Sequence, residues 1–401
     1  MPVYWIWFAN LKGLSLFRKR QLLETFCDPE ELWRAESGQL PEDVAEALKE
    51  KDLSQALEIY RRCTLQGIGV MGYGEAEYPQ RLRTLEDPPM VLYYKGNLPQ
   101  WQNQPVIAVV GTRKASPYGM QTTGLLASQI AVCGGLVVSG AATGVDRRAM
   151  ESALAQGKPV VGVLGGGVDV VYPAANRDLY RQTEEKGCLI SEYPPGSRPF
   201  PGNFLHRNRI ISGISDGVLI VEAPERSGAL NTAQHAFQQG RDVFAVPGNL
   251  GVESCAGSNM LLQEGAYPVL RGWDVMKQYE SLYPGVVENH RMPLQQAEQN
   301  PLPKVAQTAD MPEKRQQKTK DASQIPIDNR EESTYSVINK RPVGLSDQEQ
   351  AVLELLENTP ALIDSIMDRA DLPYGTVQSV LTRLTIKGLT VQHPDGRVSR
   401  K

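Results

Sequence analysis

Between Pro194 and Ser215 the chain reads PPGSRPFPGNFLHRNRIISGIS, with no acidic residue, in a sequence whose formal net charge is -4. Arg198, Arg207, Arg209 and His206 are interleaved there with Phe200 and Phe204. Guanidinium forks match phosphate oxygens, and aromatic faces match bases that a single strand exposes and a duplex hides. These residue types in this order point to single-stranded nucleic acid; the plainer alternative is a surface loop whose basic groups face water. The stretch follows a strand-like run, CLISEY (Cys188 to Tyr193), so it is expected as a binding loop at the edge of a parallel sheet.

Four glycine turns surround it in sequence. In VVGTRKASPYG (Val109 to Gly119), Gly111 ends an apolar run, Arg113 and Lys114 follow, and Ser116 and Pro117 open a helix. Amide groups at a helix start bind anions and Arg113 adds a charged fork; a simple helix cap with exposed basic residues is the other reading. The turn is not GxGxxG, and no acid stands about 20 residues on, so a dinucleotide is not expected. In SGAATGVDRRAM (Ser139 to Met150), Gly140 and Gly144 admit a close ligand, and Asp146 falls in a first helical turn, where it either caps or contacts ligand. LGGGVDVVYP (Leu164 to Pro173) offers Asp169 and Tyr172 to a sugar, a phosphate or a neighbouring loop. APERSGALNTAQHA (Ala223 to Ala236) sets Ser227, Gly228 and Thr232 at another helix start, beside Arg226. All four follow strand-like runs and therefore gather on one sheet edge, forming an anion-binding rim with Arg198, Arg207 and Arg209.

Catalytic chemistry finds little support. GxxxxGK[ST] is absent. The five cysteines are scattered without a CxxC pair and the four histidines lack ligand spacing, so no metal, cofactor or disulfide framework is expected. Glu192, Glu222 and Asp216, at strand ends, are the remaining acid or base candidates. The alternative function is a nucleotide-binding hydrolase of the lysine-decarboxylase-like Rossmann type, whose PGGxGTxxE turn uses a glutamate. Here RSGALNTAQHA puts Gln234 and His235 where an acid is required.

The elements that must position these groups are legible. VIAVV (106–110), LVVSG (136–140), PVVGVLG (159–165), CLISE (188–192), GVLIVEA (217–223) and DVFAVPG (242–248) are continuous apolar runs, as in strands buried on both faces. Alternating with helical segments, they predict an α/β, Rossmann-like, doubly wound, mostly parallel sheet. Residues 1–72 are read as a helical domain, with helices over Leu11 to Phe26 and Glu42 to Cys63; the turn Lys12-Gly13-Leu14-Ser15 suits a sterile-alpha-motif or helix-hairpin-helix unit, or a plain helical cap. Residues 73–278 are the Rossmann-like domain and the polar stretch 279–343 a flexible linker. Residues 344–401 carry helices over about 346–357, 361–370 and 373–388, then a hairpin turning at Asp395-Gly396, which is winged-helix topology. That last unit has eight acidic and six basic residues from Val343 on, which favours protein contacts over a duplex grip. The run Val3 to Ala9 is too short to span a membrane and no basic residue precedes it, so a soluble cytoplasmic protein is expected.

VGTRKASPYG, SGAATGVD, GGGVDVVYP, SEYPPG, RNRIISGIS, VEAPERSGALNTA and VFAVPGN, in this order and spacing, resemble the DNA-processing protein A (DprA/Smf) family over about Tyr73 to Leu270. The resemblance implies a Rossmann-like domain that binds single-stranded DNA. It implies a homodimer that loads a RecA-type recombinase in natural transformation, and it does not imply an enzyme. By motif, Arg113 would hold a DNA phosphate beside Gly111 and Lys114, and Gly140 beside Ser139 would donate its amide. Phe204 would stack on a base, Arg198 would supply charge, and Arg207, Asn208 and Arg209 would line the pocket, with Ser227 and Gly228 completing the DNA-binding set. Three positions depart from the family pattern: Thr143 where a basic residue is usual, Met150 where a histidine is, and Leu205 where a proline is.

Overall fold

The computed structural model describes residues 1–287 except 37, 39 and 50 and, beyond them, 347–356 and a set of positions between 361 and 400. The chain forms two compact units, Met1–Thr308 and Ala309–Lys401.

The first unit is built on a nine-stranded sheet in the order β1-β2-β6-β5-β4-β3-β7-β8-β9. Its parallel part comprises β3 (Val106–Val110), β4 (Leu136–Ser139), β5 (Val160–Val163), β6 (Cys188–Ser191), β7 (Gly217–Ile220), β8 (Asp242–Ala245) and the short β9 (Tyr267–Pro268). The six apolar runs singled out in the sequence are β3 to β8. β1 (Gly69–Gly72) and β2 (Val91–Gly96) extend the sheet beyond β6 by antiparallel pairing. One face is covered by α7 (Pro117–Val132), α8 (Val145–Ala155) and α9 (Arg177–Lys186). The other is covered by α10 (Pro201–Ile214), α11 (Gly228–Gln238) and α12 (Glu253–Gln263). Strand residues alternate between the two cores: Ile107 and Val109 face one, Val106, Ala108 and Val110 the other. The protein is thus doubly wound. The α7 start follows its sequence signal: Pro117 is the first helical residue and the Ser116 hydroxyl accepts from the Gly119 amide at 3.0 Å.

Five helices precede β1: α1 (Pro2–Asn10), α2 (Leu16–Phe26), α3 (Pro29–Arg34), α4 (Glu42–Ala47) and α5 (Ser54–Leu65); the short α6 (Gln80–Arg83) lies between β1 and β2. Trp5, Ile6 and Phe8 of α1 and Cys63 of α5 share one core with α7 and α8, so this helical cap is welded to the sheet. The apolar run read as too short for a membrane is α1. Among the described residues no helix is long and apolar enough to cross a membrane. At the other end Tyr279 and Val287 are buried in the same core, so packing continues past residue 278; the rest of the expected linker lies outside the described residues.

In the second unit the helix Asp347–Leu355 and a three-stranded sheet are described. Thr390–Gln392 pairs antiparallel with Arg397–Arg400, which is the hairpin expected around Asp395-Gly396. Ala361–Leu362, expected to open a helix, instead pairs with Val398 and Arg397 as the third strand. Val352, Ile366, Val377, Val380, Leu384 and Val398 form its own core.

Candidate nucleic-acid interface

Strands run from β3 through β4 and β5 to β6 on one side, then resume at β7 on the other side of β3. The loops after β3 and β7 consequently leave in opposite directions, and a doubly wound sheet opens its ligand crevice at that switch. A cleft of about 510 Å³ lies there, lined by Val110 to Lys114 after β3, by Pro224 and Arg226 to Ala229 after β7, by α10 and by Tyr172. Gly111 makes the floor: a Cβ there would stand 2.6 Å from Val145 and 2.8 Å from the Glu222 carbonyl. The first turns of α7 and α11 bring two helix N-termini to this edge, the second with Ser227 as cap, its hydroxyl accepting from the Ala229 amide. Arg113, Lys114 and Arg226 are exposed at the mouth.

The acid-free stretch read as a binding loop is for the most part a helix. α10 starts at Pro201 with Phe200 in the cap position. Its helical period is hidden in the sequence because three successive polar residues, Arg207, Asn208 and Arg209, are all buried and no apolar stripe results. Phe204, in the first half of the helix, stacks on Tyr172 with ring centroids 5.4 Å apart, and the Arg113 guanidinium carbon lies 5.3 Å from its centroid. Tyr172 entered the sequence reading only as a hydrogen-bonding group; an aromatic closing a glycine turn was the signal for this platform.

Arg207 is buried in the cleft wall. It donates to the Gly140 carbonyl at 2.9 Å and to the Val163 carbonyl, and faces Asp146. Burial pulls its pKa down to about 10, against the Asp146 charge; burial likewise pushes the Asp146 carboxyl up, against Arg207 and the backbone amides. Asp146 neither caps its own helix nor faces outward: it accepts from the Gly140 and Ala142 amides at 3.1 and 3.4 Å and closes the second glycine turn on itself. The Gly140 amide expected to donate to DNA is therefore already engaged. Ser139 is also turned inward, its hydroxyl donating to the Val109 carbonyl at 2.7 Å. Asn208 donates to the Gly228 carbonyl and to Asn231 at 3.1 Å, tying α10 to α11 across the cleft.

Of the expected DNA-binding residues, Gly111, Arg113, Lys114, Phe204, Arg207, Asn208, Ser227 and Gly228 meet at the cleft. Arg198 is exposed on the segment before α10, outside the lining. Arg209 is a correction: it points to the opposite side of α10, donating to both Glu192 oxygens at 2.7 and 2.8 Å and to Asp87 at 3.1 Å. Met150, in the position of the family histidine, is buried core.

The acid candidates have structural work. Glu222 accepts from the amide and hydroxyl of Ser116 at 2.9 and 3.2 Å. Asp216 lies at the opposite end of β7, holding the Val106 amide and pairing with Arg81 at 2.7 Å. Glu192 holds Arg209. His235, which stands where the hydrolase alternative requires an acid, lines a separate hollow with Arg209 and His206.

A family model described as DNA recombination-mediator protein A matches residues 69–280. The chain belongs to that family. A second model, the DprA winged helix domain, matches residues 339–396. Protein Smf of Synechocystis is 30% identical over 413 residues, which covers 99% of this chain and 98% of that protein. DNA processing protein DprA of Bacillus subtilis is 37% identical over 226 residues, covering 56% of this chain and 75% of its own. The X-ray structure of DNA processing protein A from Streptococcus pneumoniae superimposes with a TM-score of 0.60 at 32% identity, over 69% of this chain and 97% of that one. As a member of the DNA recombination-mediator protein A family the chain is a DNA-processing protein, with the Rossmann-like sheet and C-terminal winged helix that its sequence predicts.

Proposed function

We propose that the chain binds single-stranded DNA in the cleft between β3 and β7, without catalysing a reaction on it, and passes the strand to a RecA-type recombinase in the cytoplasm during natural transformation. One observation carries the reading. An aromatic pair, Phe204 on Tyr172, stands beneath an exposed arginine, in a cleft also lined by the N-terminus of α11. A base stacks on a π-face and its phosphate meets amides and guanidinium, a combination a paired duplex does not offer. Asp146 is the only acid among the described residues lining the cleft, and Arg207 meets its charge. That no acid in the cleft is free to act as acid or base supports a binder rather than an enzyme.

The proposal includes a homodimer. β9 is an edge strand, and Tyr267 on it and Leu270 just after it are exposed apolar side chains of the kind a second copy covers. The handover to the recombinase rests on the family resemblance.

The test is fluorescence anisotropy of a labelled oligo-dT, single-stranded and annealed, across a salt series. Preference for the single strand is expected, with log K falling by about 0.7 per phosphate contacted for each decade of salt. Equal affinity for duplex, or binding indifferent to salt, would sink the reading.

A further inference from the structure

Between β6 and α10 the backbone from Glu192 to Phe200 is neither helix nor strand, and it carries the exposed Arg198. It is held from two directions. On the sheet side the Gly167 amide donates to the Ser197 carbonyl at 3.0 Å, and the Gly196 amide to Asp169 Oδ1 at 2.8 Å. From the N-terminal helices Arg62 Nη1 donates to the Pro195 carbonyl at 3.2 Å. Gly196 has φ of +81°, and a Cβ on it would stand 2.5 Å from Arg62 Nη1, so the guanidinium lies directly against this left-handed glycine. Arg62 is presented by a packed helix: Ala56 and Cys63 of α5 are buried in the core that also takes Tyr93 of β2.

We infer that Arg62 is a positioning residue for single-strand binding. By holding Pro195 and Gly196 it sets where Arg198 and the first turn of α10 stand, and so makes the helical cap a working part of the DNA site. The inference rests on the reading of the cleft as a single-strand site. It assigns Arg62 an action through Arg198, not a phosphate of its own.

The experiment measures oligo-dT affinity by anisotropy for the full chain, Arg62→Ala, Arg198→Ala, the double variant and Arg62→Lys, with Arg113→Ala as control. A hydrogen bond from a charged donor is strong enough for Arg62→Ala to weaken binding about fivefold. The salt slope should drop by about 0.7, as in Arg198→Ala. The double variant should bind like Arg198→Ala alone, and Arg62→Lys, which keeps a charged donor, should recover most of the loss. Wild-type affinity in Arg62→Ala beside a weakened Arg113→Ala would overturn the inference and leave the cleft reading standing. Multiplying losses in the double variant would also overturn it, since they mark a direct phosphate contact. Undiminished binding in both Arg62→Ala and Arg113→Ala would remove the cleft reading and the inference together.

Discussion

Arg207 and Arg209 stand two residues apart on one helix, both buried, and do opposite things. Two residues turn an α-helix by about 200°, so the first guanidinium enters the cleft wall and the second leaves by the back. Arg207 braces the second glycine turn through the Gly140 and Val163 carbonyls and the charge of Asp146. Arg209 staples α10 to Glu192 after β6 and to Asp87 before β2. A basic pair in a motif is thus two different devices, and helix phase decides which arginine can face a ligand.

Removing Arg207 should have the largest effect because it combines both roles. Arg207→Ala leaves Asp146 buried without its countercharge, costing about 3 kcal/mol of stability, and it should also weaken oligo-dT binding more than tenfold by loosening the second turn. Urea unfolding and anisotropy on the same sample separate the two; an affinity loss without a stability loss would make Arg207 a simple phosphate contact. Arg209→Ala should cost less, about 2 kcal/mol, because Glu192 is partly exposed and keeps His206 as a partner. The molecules that remain folded should bind DNA with unchanged affinity, and if they do not, the two faces of α10 are not independent.

Phe204→Ala comes next. It removes the stacking platform and should cost about 1–2 kcal/mol of binding, about tenfold, as base–aromatic contacts do, while Phe204→Trp keeps the affinity. The back face has its own signature in pH. Burial raises the Glu192 pKa, but the His206 hydrogen bond and the Arg209 charge outweigh it and leave it below its ordinary 4.5. The stabilisation from a depressed carboxylate is complete above the ordinary value and is lost as pH falls through the folded one. Stability should therefore decline below about pH 4.5 in the wild type, with a shallower decline in Glu192→Gln; identical acid profiles would show that the Arg209 face contributes nothing. The smallest change is Ser139→Ala, which deletes one buried hydrogen bond to Val109. About 1 kcal/mol is expected, with DNA affinity untouched; a binding defect would return Ser139 to the site.

Much of the fold was legible because burial on both faces writes itself as unbroken apolar runs. Val106–Val110 is buried at every position, and so are Leu136–Ser139 and Val160–Val163. Two of the strands that went unread are of another kind. Gly69–Gly72 is short and glycine-bounded, and Val91–Gly96 is only partly buried. In the cleft, Arg113, Phe204, Asn208 and Gly228 were legible by residue type and by their positions after strands. Ser139 and Arg209 were legible as chemistry but not as direction.

The sequence by itself determined the buried strands, the serine caps at Ser116 and Ser227, the C-terminal hairpin and the collection of phosphate-binding residue types on one sheet edge. These follow from local rules: apolar periodicity, capping geometry and turn chemistry act over a few residues. Only the tertiary structure decided that the acid-free stretch is a helix, that Asp146 consumes the Gly140 amide, that Glu222 caps α7 and that Arg209 faces away. The reason is reach. Arg207 bonds to carbonyls 44 and 67 residues away, Glu222 to a serine 106 residues away, and Arg209 to an aspartate 122 residues away. A buried polar group must find its partner, and no local pattern records where along the chain that partner lies.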